Sequence, residues 1–227
     1  MAEPGITLPK EVPVMTLSGT VLFPQAIMPL YIFEPRYRQM LSDVLKNHRL
    51  FAVVGLDISQ TTKPDQFEPP LNTGTVGIIR VCHKNKDGTS NLVLQGLFRV
   101  QVNRIVQESP YRIIDISPLE SMLGAEEEEL DRKMKQLSKM LIDKQEMGGK
   151  IPREIMQQLL KVKEPGVFVD LAAYAFCSDS LIKQKILSSL SVMNRFKIYI
   201  EKLETELKKL KLSKRYSLLD EEDISFN

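Results

Sequence analysis

Two histidines and two cysteines are the residues of this chain best suited to nucleophilic, acid–base or metal chemistry. Cys82 and His83 are neighbours in the sequence, and an imidazole can activate a thiol when both side chains point the same way. They fall in a predicted β-strand, where consecutive side chains point to opposite faces, so we do not expect a catalytic dyad. His48 and Cys177 lie far away in the sequence, without the close spacing of a zinc site. The sequence therefore predicts free thiols, structural or surface histidines, and no metal.

Runs of acidic residues are the second candidate for chemistry. Glu126–Glu129 and Asp220–Asp223 are both unbroken acidic runs. Catalytic carboxylates must face one cleft with separated pKa values, whereas consecutive acids on a helix usually form a solvated face. The chain also lacks a phosphate-binding loop, since "MGGK" has the wrong spacing, and it contains no GxSxG, HExxH or GxGxxG motif. We therefore predict no catalytic residue and no cofactor.

The overall composition is that of a globular chain. Of its 227 residues, 43% are apolar and 26% are charged, so burial can offset the entropy of ordering the chain. With 31 basic and 29 acidic residues the formal net charge is +2, which gives no overall attraction to nucleic acids or anionic membranes. No apolar run approaches the ~20 residues of a membrane helix, and "MAEPGITLPKEVPV" lacks the regions of a signal peptide. We expect a cytoplasmic protein without a membrane partner.

The first half of the chain is predicted to be mostly β-strand, because short apolar runs alternate with turn residues. The predicted strands are Val12–Leu17, Leu50–Leu56, Gly74–Cys82, Asn91–Gln95, Leu97–Val106 and Tyr111–Ser117. A hairpin is expected at Asp87-Gly88, a favoured turn pair, and a long polar loop at Asp57–Gly74. One helix interrupts the strands, starting near Pro35 and running to about Lys46. These elements define a β-rich domain over residues 8–120.

The second half of the chain shows helical periodicity. Four glutamates open a predicted helix that ends at Gly148-Gly149, and its apolar stripe is Leu130, Met134, Leu137 and Leu141. Shorter helices follow, and one of them is capped by Ser178, Asp179 or Ser180. We predict a helical domain over residues 123–212 and a flexible tail over residues 213–227.

The last predicted helix runs from about Val192 to Lys211. Its apolar residues repeat at alternating steps of three and four, which is typical of a coiled-coil seam. They are Met193, Phe196, Ile200, Leu203, Leu207 and Leu210. Such a seam can pack within a helical bundle or form a homodimer.

One ordered series of short motifs extends over most of the chain. It begins with "VPVMTLSGTVLFPQAIMPLYIFEPRYRQML" and contains Phe23-Pro24, Pro29-Leu30, Phe33-Glu34 and Arg36-Tyr37. Further along come Gly74, Gly77, Asp87-Gly88, Gly96, Arg99, Pro165-Gly166, Asp170-Leu171 and Arg195. This series resembles the LON N-terminal domain, the substrate-recognition part of Lon-type ATP-dependent proteases, which also occurs alone or joined to other modules.

The resemblance implies an α+β fold: a PUA-like antiparallel β-barrel with one inserted helix, followed by an α-helical bundle with a long C-terminal helix. Lon proteases continue with an ATPase module and a Ser-Lys peptidase, whereas this sequence stops at Asn227. The chain is then either a stand-alone LON-domain protein or a fragment of a longer one; we expect the stand-alone protein, and no enzyme activity.

The stretch from Leu22 to Leu41 is the predicted contact surface. Its prolines restrict the backbone, so we expect an irregular ledge of apolar side chains leading into the helix. The candidate substrate-binding residues are Met28, Leu30, Tyr31, Phe33 and Arg36. Met28 and Tyr31 are expected to be half-exposed, because methionine adapts to varied partners and tyrosine offers an amphipathic contact. Phe23 and Phe33 are expected to be core residues.

Two functions fit the sequence. The first is a non-catalytic binding module that holds unfolded or specific polypeptides on apolar surface and delivers them to a protease or chaperone. The alternative, which the PUA-like barrel suggests, is binding of RNA or another nucleic acid through basic residues on or near the strands. These residues are Arg80, Lys84, Lys86, Arg99, Arg104 and Arg112. Interspersed acids and scarce exposed aromatic rings make nucleic acid the weaker hypothesis.

Overall fold

The computed structural model describes residues 6–60 and 68–224 of the chain. The chain divides into two compact units. Met1–Ser121 and Cys177–Leu190 form the barrel unit, and Met122–Phe176 and Ser191–Asn227 form the helical unit. The fold is thus mixed α+β, as the sequence predicts. Within the described residues, no helix combines the length and the apolar character that a membrane-spanning helix requires.

In the part of the chain that the structure describes, the barrel unit is built on one sheet of six strands. They are β1 (Glu11–Leu17), β2 (Ile27–Ile32), β3 (Leu50–Leu56), β4 (Pro70–Lys84), β5 (Ser90–Gln107) and β6 (Ile113–Pro118). The order is β2-β5-β4-β3-β1-β6, and β6 also pairs with β5. Five strands therefore close into a ring, which leaves β2 at the edge of the sheet beside β5.

The strand pairs are antiparallel except that β1 runs parallel to β3, with Val14 opposite Ala52. The chain reaches β3 only after β2 and a helix, and such a crossover is what a parallel pair requires. Apolar side chains of the ring meet inside the barrel, where they are largely shielded from solvent. This core consists of Val12, Val14, Leu50, Ala52, Val54, Val76, Leu97, Val100, Val102, Ile114 and Ile116.

Two α-helices of the described residues accompany the barrel. Helix α1 (Pro35–Leu45) begins with a proline, which its first turn tolerates, and buries Tyr37, Met40, Leu41 and Val44. Helix α5 (Ser180–Ser188) is capped by Asp179, whose carboxylate accepts the N–H groups of Leu181 and Ile182. This confirms one of the three predicted caps.

Helix α5 also differs from the sequence prediction in its location. The Gln184 amide donates to the Thr73 carbonyl oxygen at 3.0 Å, which attaches the helix to β4. Residues Cys177–Leu190 consequently group with the barrel unit, although the sequence predicts them within the helical domain of residues 123–212.

The helical unit contains α2 (Glu127–Glu146), α3 (Arg153–Leu159), α4 (Pro165–Phe176) and α6 (Val192–Ile224). Helix α6 packs against α2 and α4, and its predicted seam is buried from Met193 to Leu207. The seam is therefore filled by packing within the unit. Helix α6 continues to Ile224, although the sequence predicts an end near Lys211 and a flexible tail over residues 213–227. Residues 225–227 of that tail lie outside the described residues.

The other departures from the predicted elements concern strands. Ile27–Ile32 is strand β2, where the sequence predicts an irregular ledge. Strand β4 starts at Pro70, inside the predicted polar loop, and β5 is one strand of 18 residues where two are predicted. The predicted hairpin between β4 and β5 is confirmed, since Gly88 has φ +83° and the Asn85 N–H donates to the Thr89 carbonyl oxygen.

Candidate functional site

Strand β2 carries most of the residues that the sequence predicts as a contact surface. It pairs with β5 in antiparallel register, so that Met28 faces Leu94, Pro29 faces Val93 and Tyr31 faces Asn91. Proline cannot donate a ladder hydrogen bond, and it is tolerated here because the strand lies at the edge of the sheet. The stretch is thus a regular edge strand, and its side chains alternate between two faces.

One predicted site residue, Met28, lies on the inward face of β2. Met28 is only 5% exposed and lies opposite Leu94, which is fully buried. Leu30, also predicted to bind, points the same way and is half-buried. Alternation along the strand places Met28 in the interior, so it is not the half-exposed contact that the sequence predicts.

The outward face of β2 presents an apolar surface. Ile27 and Tyr31 are 49% and 53% exposed, and Phe33, just beyond the strand, is 58% exposed. The sequence predicts Phe33 as a core residue, and this is wrong because the strand ends at Ile32 and the next side chain lies over the outer face. Phe23, the other predicted core phenylalanine, is fully buried as expected.

The neighbouring strands extend this surface. Pro29 on β2, Val93 on β5 and Val81 on β4 are direct cross-strand partners and so share one face of the sheet. Val81 is 59% exposed. An irregularity in β4 between Ile79 and Val81 brings Val81 to this face, and the sequence gives no signal of it. We call Ile27, Pro29, Tyr31, Phe33, Val81 and Val93 the outer apolar patch.

Polar groups border the outer apolar patch. The Arg80 guanidinium donates to the Gln95 side-chain oxygen at 2.7 Å, and the Gln95 amide donates to Gln25 at 3.3 Å. Gln95 lies opposite Ile27 in the ladder, so this row of hydrogen bonds runs along one side of the patch. An apolar centre with a polar border is the usual anatomy of a protein-binding surface.

Arg36, the last predicted contact residue, is engaged in the barrel unit itself. Its guanidinium makes two 3.0 Å bonds to the Glu68 carboxylate and one 2.9 Å bond to Glu34, and it lies 4.5 Å from the centre of the Tyr37 ring. The bond to Glu68 raises the pKa of Arg36, and burial raises the pKa of the Tyr37 phenol. Arg36 therefore ties the start of α1 to Glu68.

The histidines and cysteines do not assemble a reactive centre in the described part of the chain, where no cluster of three or more His, Cys, Asp or Glu residues could hold a metal ion. The Nδ1 atom of His48 accepts the Leu50 N–H at 3.0 Å, and burial lowers the pKa of this imidazole. Cys82 is half-buried and Cys177 is buried, and neither forms a disulfide bond. His83 lies opposite Asn91 at the exposed outer face.

Three of the six basic residues of the nucleic-acid hypothesis are held by bonds within the barrel unit, while Lys84, Lys86 and Arg104 are exposed. Arg99 is 4% exposed and donates to Ser121, and Arg112 bonds to Glu108, Thr16 and the Glu68 carbonyl oxygen. Arg80 is bonded within the polar border of the patch. The geometry therefore offers apolar contact rather than a row of cations for phosphates.

A barrel whose outer face presents clustered apolar side chains has the features of a binding domain. The family model of the ATP-dependent protease La (LON) substrate-binding domain matches residues 11–205. The chain belongs to this family, which confirms the resemblance stated above.

Similar proteins agree with this assignment. The Lon protease of Desulfosudis oleivorans is 28% identical over 218 residues, which are 96% of this chain and 26% of the relative. Lon protease 2 of Myxococcus xanthus is 26% identical over 219 residues, which are 95% of this chain and 26% of the relative. The chain thus spans about a quarter of the length of these curated relatives.

Two solved structures share the fold. The N-terminal domain of a Mycobacterium avium complex Lon protease superposes with a TM-score of 0.66 at 16% identity, covering 86% of this chain and 98% of that one. A Lon N-terminal domain protein from Xanthomonas campestris gives 0.60 at 19% identity, covering 84% and 97%. At these identities the comparison supports the fold alone.

Proposed function

We propose that the chain is a non-catalytic substrate-recognition module that binds unfolded or specific polypeptides through the outer apolar patch. One observation carries the proposal: four large apolar side chains, each about half exposed or more, lie together on the outer face of β2 and β4. Single exposed apolar residues are common, but a contiguous group marks an interaction surface. Membership in a family of substrate-binding domains supports a polypeptide as the ligand.

The chemistry of the patch fits an unfolded chain better than a single rigid ligand. Tyr31 and Phe33 offer broad, stiff contact area, and aromatic side chains bury roughly 150–250 Å² each when covered. Ile27 on β2 and Val81 on β4 add aliphatic surface on either side of β5. Such a surface takes up apolar side chains of varied shape, which an unfolded polypeptide exposes. Delivery of the bound polypeptide to a protease or chaperone in the cytoplasm is part of the proposal.

The test measures binding of a fluorescein-labelled, reduced and alkylated protein that stays unfolded. Fluorescence anisotropy compares the wild-type chain with a Tyr31→Asp/Phe33→Asp variant, whose carboxylates would have to be desolvated on binding. We expect the dissociation constant to rise at least tenfold. Leu181→Asp is the matched control, because Leu181 is 73% exposed on α5, outside the patch, and it should leave the dissociation constant within twofold.

Two results would count against the proposal. Equal affinity of the double variant and the wild-type chain would remove the outer apolar patch as the contact surface. Equal loss of affinity in Leu181→Asp would show that binding depends on general surface hydrophobicity. Urea denaturation of each variant checks that the fold is retained. A charge at Met28 would not test the patch, because Met28 is buried and a carboxylate there would lie in the interior.

A further inference from the structure

A second surface, in the helical unit, combines an apolar floor with a basic border. A groove of about 530 Å³ lies between α2 and the segment that joins α3 to α4. Its floor is apolar and consists of Met134, Ile142, Leu160, Val162 and Phe168. Ile142 and Leu160 are 36% and 44% exposed, so these two residues of the floor are open to a ligand.

The border of this groove is basic. Lys135 and Lys139 lie one turn apart on α2, Lys163 lies on the opposite side, and Asp131 is the one acidic residue among the lining side chains. None of the three lysines forms an ion pair with a described side chain. We call the floor and these three lysines the lysine-bordered groove.

Lys144, on the same helix, forms an ion pair with a described carboxylate, unlike the lysines of the groove. Its ammonium donates to the Glu206 carboxylate of α6 at 2.6 Å, and the Lys144 side chain is 14% exposed. Lys135 and Lys139, in contrast, are like charges spaced four residues apart, an arrangement that disfavours the helix slightly. The lysines of the groove thus do not stabilise the fold through ion pairs, and they leave a positive field over an apolar floor.

We propose that the lysine-bordered groove docks an acidic, aliphatic segment of a separate partner polypeptide. Charge complementarity selects the acids, and the apolar floor selects the aliphatic side chains between them. From Asp131 to Ile142 the groove follows α2 for about 17 Å, or three helical turns. A short amphipathic helix, with leucines toward the floor and glutamates toward the lysines, matches this length and chemistry.

A nucleic acid fits the groove less well. Phe168 is the one aromatic residue that lines it, and this ring is 1% exposed and stacks on Phe196, so it is not open for base stacking. The apolar floor would also be left without a matching ligand surface. The carboxylates of a polypeptide, in contrast, can bind to the lysines without an exposed aromatic ring.

The experiment uses the full chain and a defined probe. The probe is a fluorescein-labelled 14-residue helical peptide with leucines at three- and four-residue spacing and glutamates beside them, and its matched partner carries lysines in place of the glutamates. Anisotropy should show binding of the glutamate peptide at least tenfold tighter than the lysine peptide. The affinity should fall as salt is added.

Protein variants locate the binding. Lys135→Glu/Lys139→Glu should weaken binding of the glutamate peptide at least tenfold and strengthen binding of the lysine peptide. The matched control is Arg132→Glu/Arg153→Glu, which makes the same change in charge at two exposed positions outside the groove lining, and it should stay within twofold of the wild-type chain. Leu160→Asp should weaken binding of the glutamate peptide, because it places a charge in the apolar floor.

Several outcomes would overturn the inference. Equal binding of both peptides, or equal loss in the control variant, would show unspecific charge attraction. Tighter binding of a 14-nucleotide single-stranded RNA than of the glutamate peptide would make the groove a nucleic-acid site. Self-association of the wild-type chain in sedimentation, abolished by Lys135→Glu/Lys139→Glu, would make a second copy the occupant. The Tyr31→Asp/Phe33→Asp variant should bind the peptide normally, which keeps this test independent of the outer apolar patch.

Discussion

The rings of Tyr31 and Phe33 stack with their centroids 5.9 Å apart and their planes at 24°, yet more than half of each side chain stays exposed. Each ring therefore covers part of the other on the outer face of β2 and neither enters the barrel core. A stacked pair of this kind holds two aromatic faces in a fixed position for a ligand at little cost in side-chain entropy. Its effect should accordingly be seen in binding more than in folding.

Substitution of the stacked rings should change stability little. We expect Tyr31→Ala and Phe33→Ala each to lower the free energy of unfolding by less than about 1.5 kcal/mol, the value of an aromatic pair. Phe23→Ala should lower it by about 3–5 kcal/mol, since Phe23 is fully buried. Urea denaturation followed by circular dichroism measures all three. A loss at Phe33 as large as that at Phe23 would place Phe33 in the core after all.

Phe23 and Phe33 also show where sequence reasoning succeeds and where it stops. Both lie in one apolar, proline-containing stretch, and residue type favours burial for both. Only pairing of β2 with β5, more than sixty residues further on, decides that Met28 faces inward and that Phe33 lies outside. Local sequence carries no information on that register, so the half-exposure expected for Met28 and the burial expected for Phe33 are both wrong.

Elements with strong local signals were predicted closely. Helix α1 begins at Pro35 as its proline indicates, β3 has the predicted bounds, and Asp179 caps α5. The parallel pairing of β1 with β3 and the change of face at Val81 on β4 depend on contacts between distant strands. The outer apolar patch could therefore be predicted only in part, through Tyr31 and the general location.

A close approach of two backbones makes Gly96 sensitive to substitution. A Cβ atom at this position would lie 2.1 Å from the carbonyl oxygen of Phe23, which is backbone and cannot move aside. We expect Gly96→Ala to lower the free energy of unfolding by about 1–3 kcal/mol or more. Gly55→Ala is the control, because its Cβ would meet the end of the Leu71 side chain at 2.8 Å, which can rotate away. Equal losses in thermal or urea denaturation would contradict the close approach.

The helical unit contains a buried ion pair between Arg195 on α6 and Asp170 on α4, with 3.3 Å between Nη1 and Oδ2. The side chains are 1% and 5% exposed, so a lone charge could not be solvated. Asp170→Ala should lower the free energy of unfolding by about 3–5 kcal/mol, because it leaves the Arg195 charge without this carboxylate. Glu108→Ala removes a carboxylate that is 58% exposed and leaves Arg112 its bonds to Thr16 and the Glu68 carbonyl oxygen, so it should cost about 0–1 kcal/mol. The urea midpoints of both variants test whether loss of the buried Asp170 carboxylate costs more stability than loss of Glu108.

His48 should make stability depend on pH in mildly acidic solution. Burial lowers the pKa of this imidazole in the folded chain below its ordinary value of about 6.5, so the unfolded chain binds the proton more readily. The contribution of His48 is therefore complete above that ordinary value and is lost as pH falls through the lowered, folded-state pKa. Protonation of Nδ1 would also end its role as acceptor of the Leu50 N–H.

The measurement is the urea midpoint of the wild-type chain at pH 7.5, 6.0 and 5.0, compared with that of His48→Asn, whose side-chain oxygen can still accept a hydrogen bond. Between pH 7.5 and 5.0 the midpoint should fall further in the wild-type chain than in the variant. Parallel profiles would show that other groups cause the pH dependence.

Substitution of Arg36 tests whether this residue stabilises the fold or contacts the ligand. The sequence predicts it as a contact residue, but its guanidinium is held by Glu68 and Glu34. Arg36→Met should lower the free energy of unfolding by about 1 kcal/mol, since the pair with Glu68 has bidentate geometry at partly exposed side chains. The dissociation constant for the unfolded polypeptide should stay within twofold. Arg38→Met, an exposed arginine on the same helix, is the matched control for loss of one positive charge. If Arg36→Met instead weakens binding strongly at unchanged stability, while Arg38→Met does not, then Arg36 contacts the ligand and the surface extends beyond the outer apolar patch onto α1.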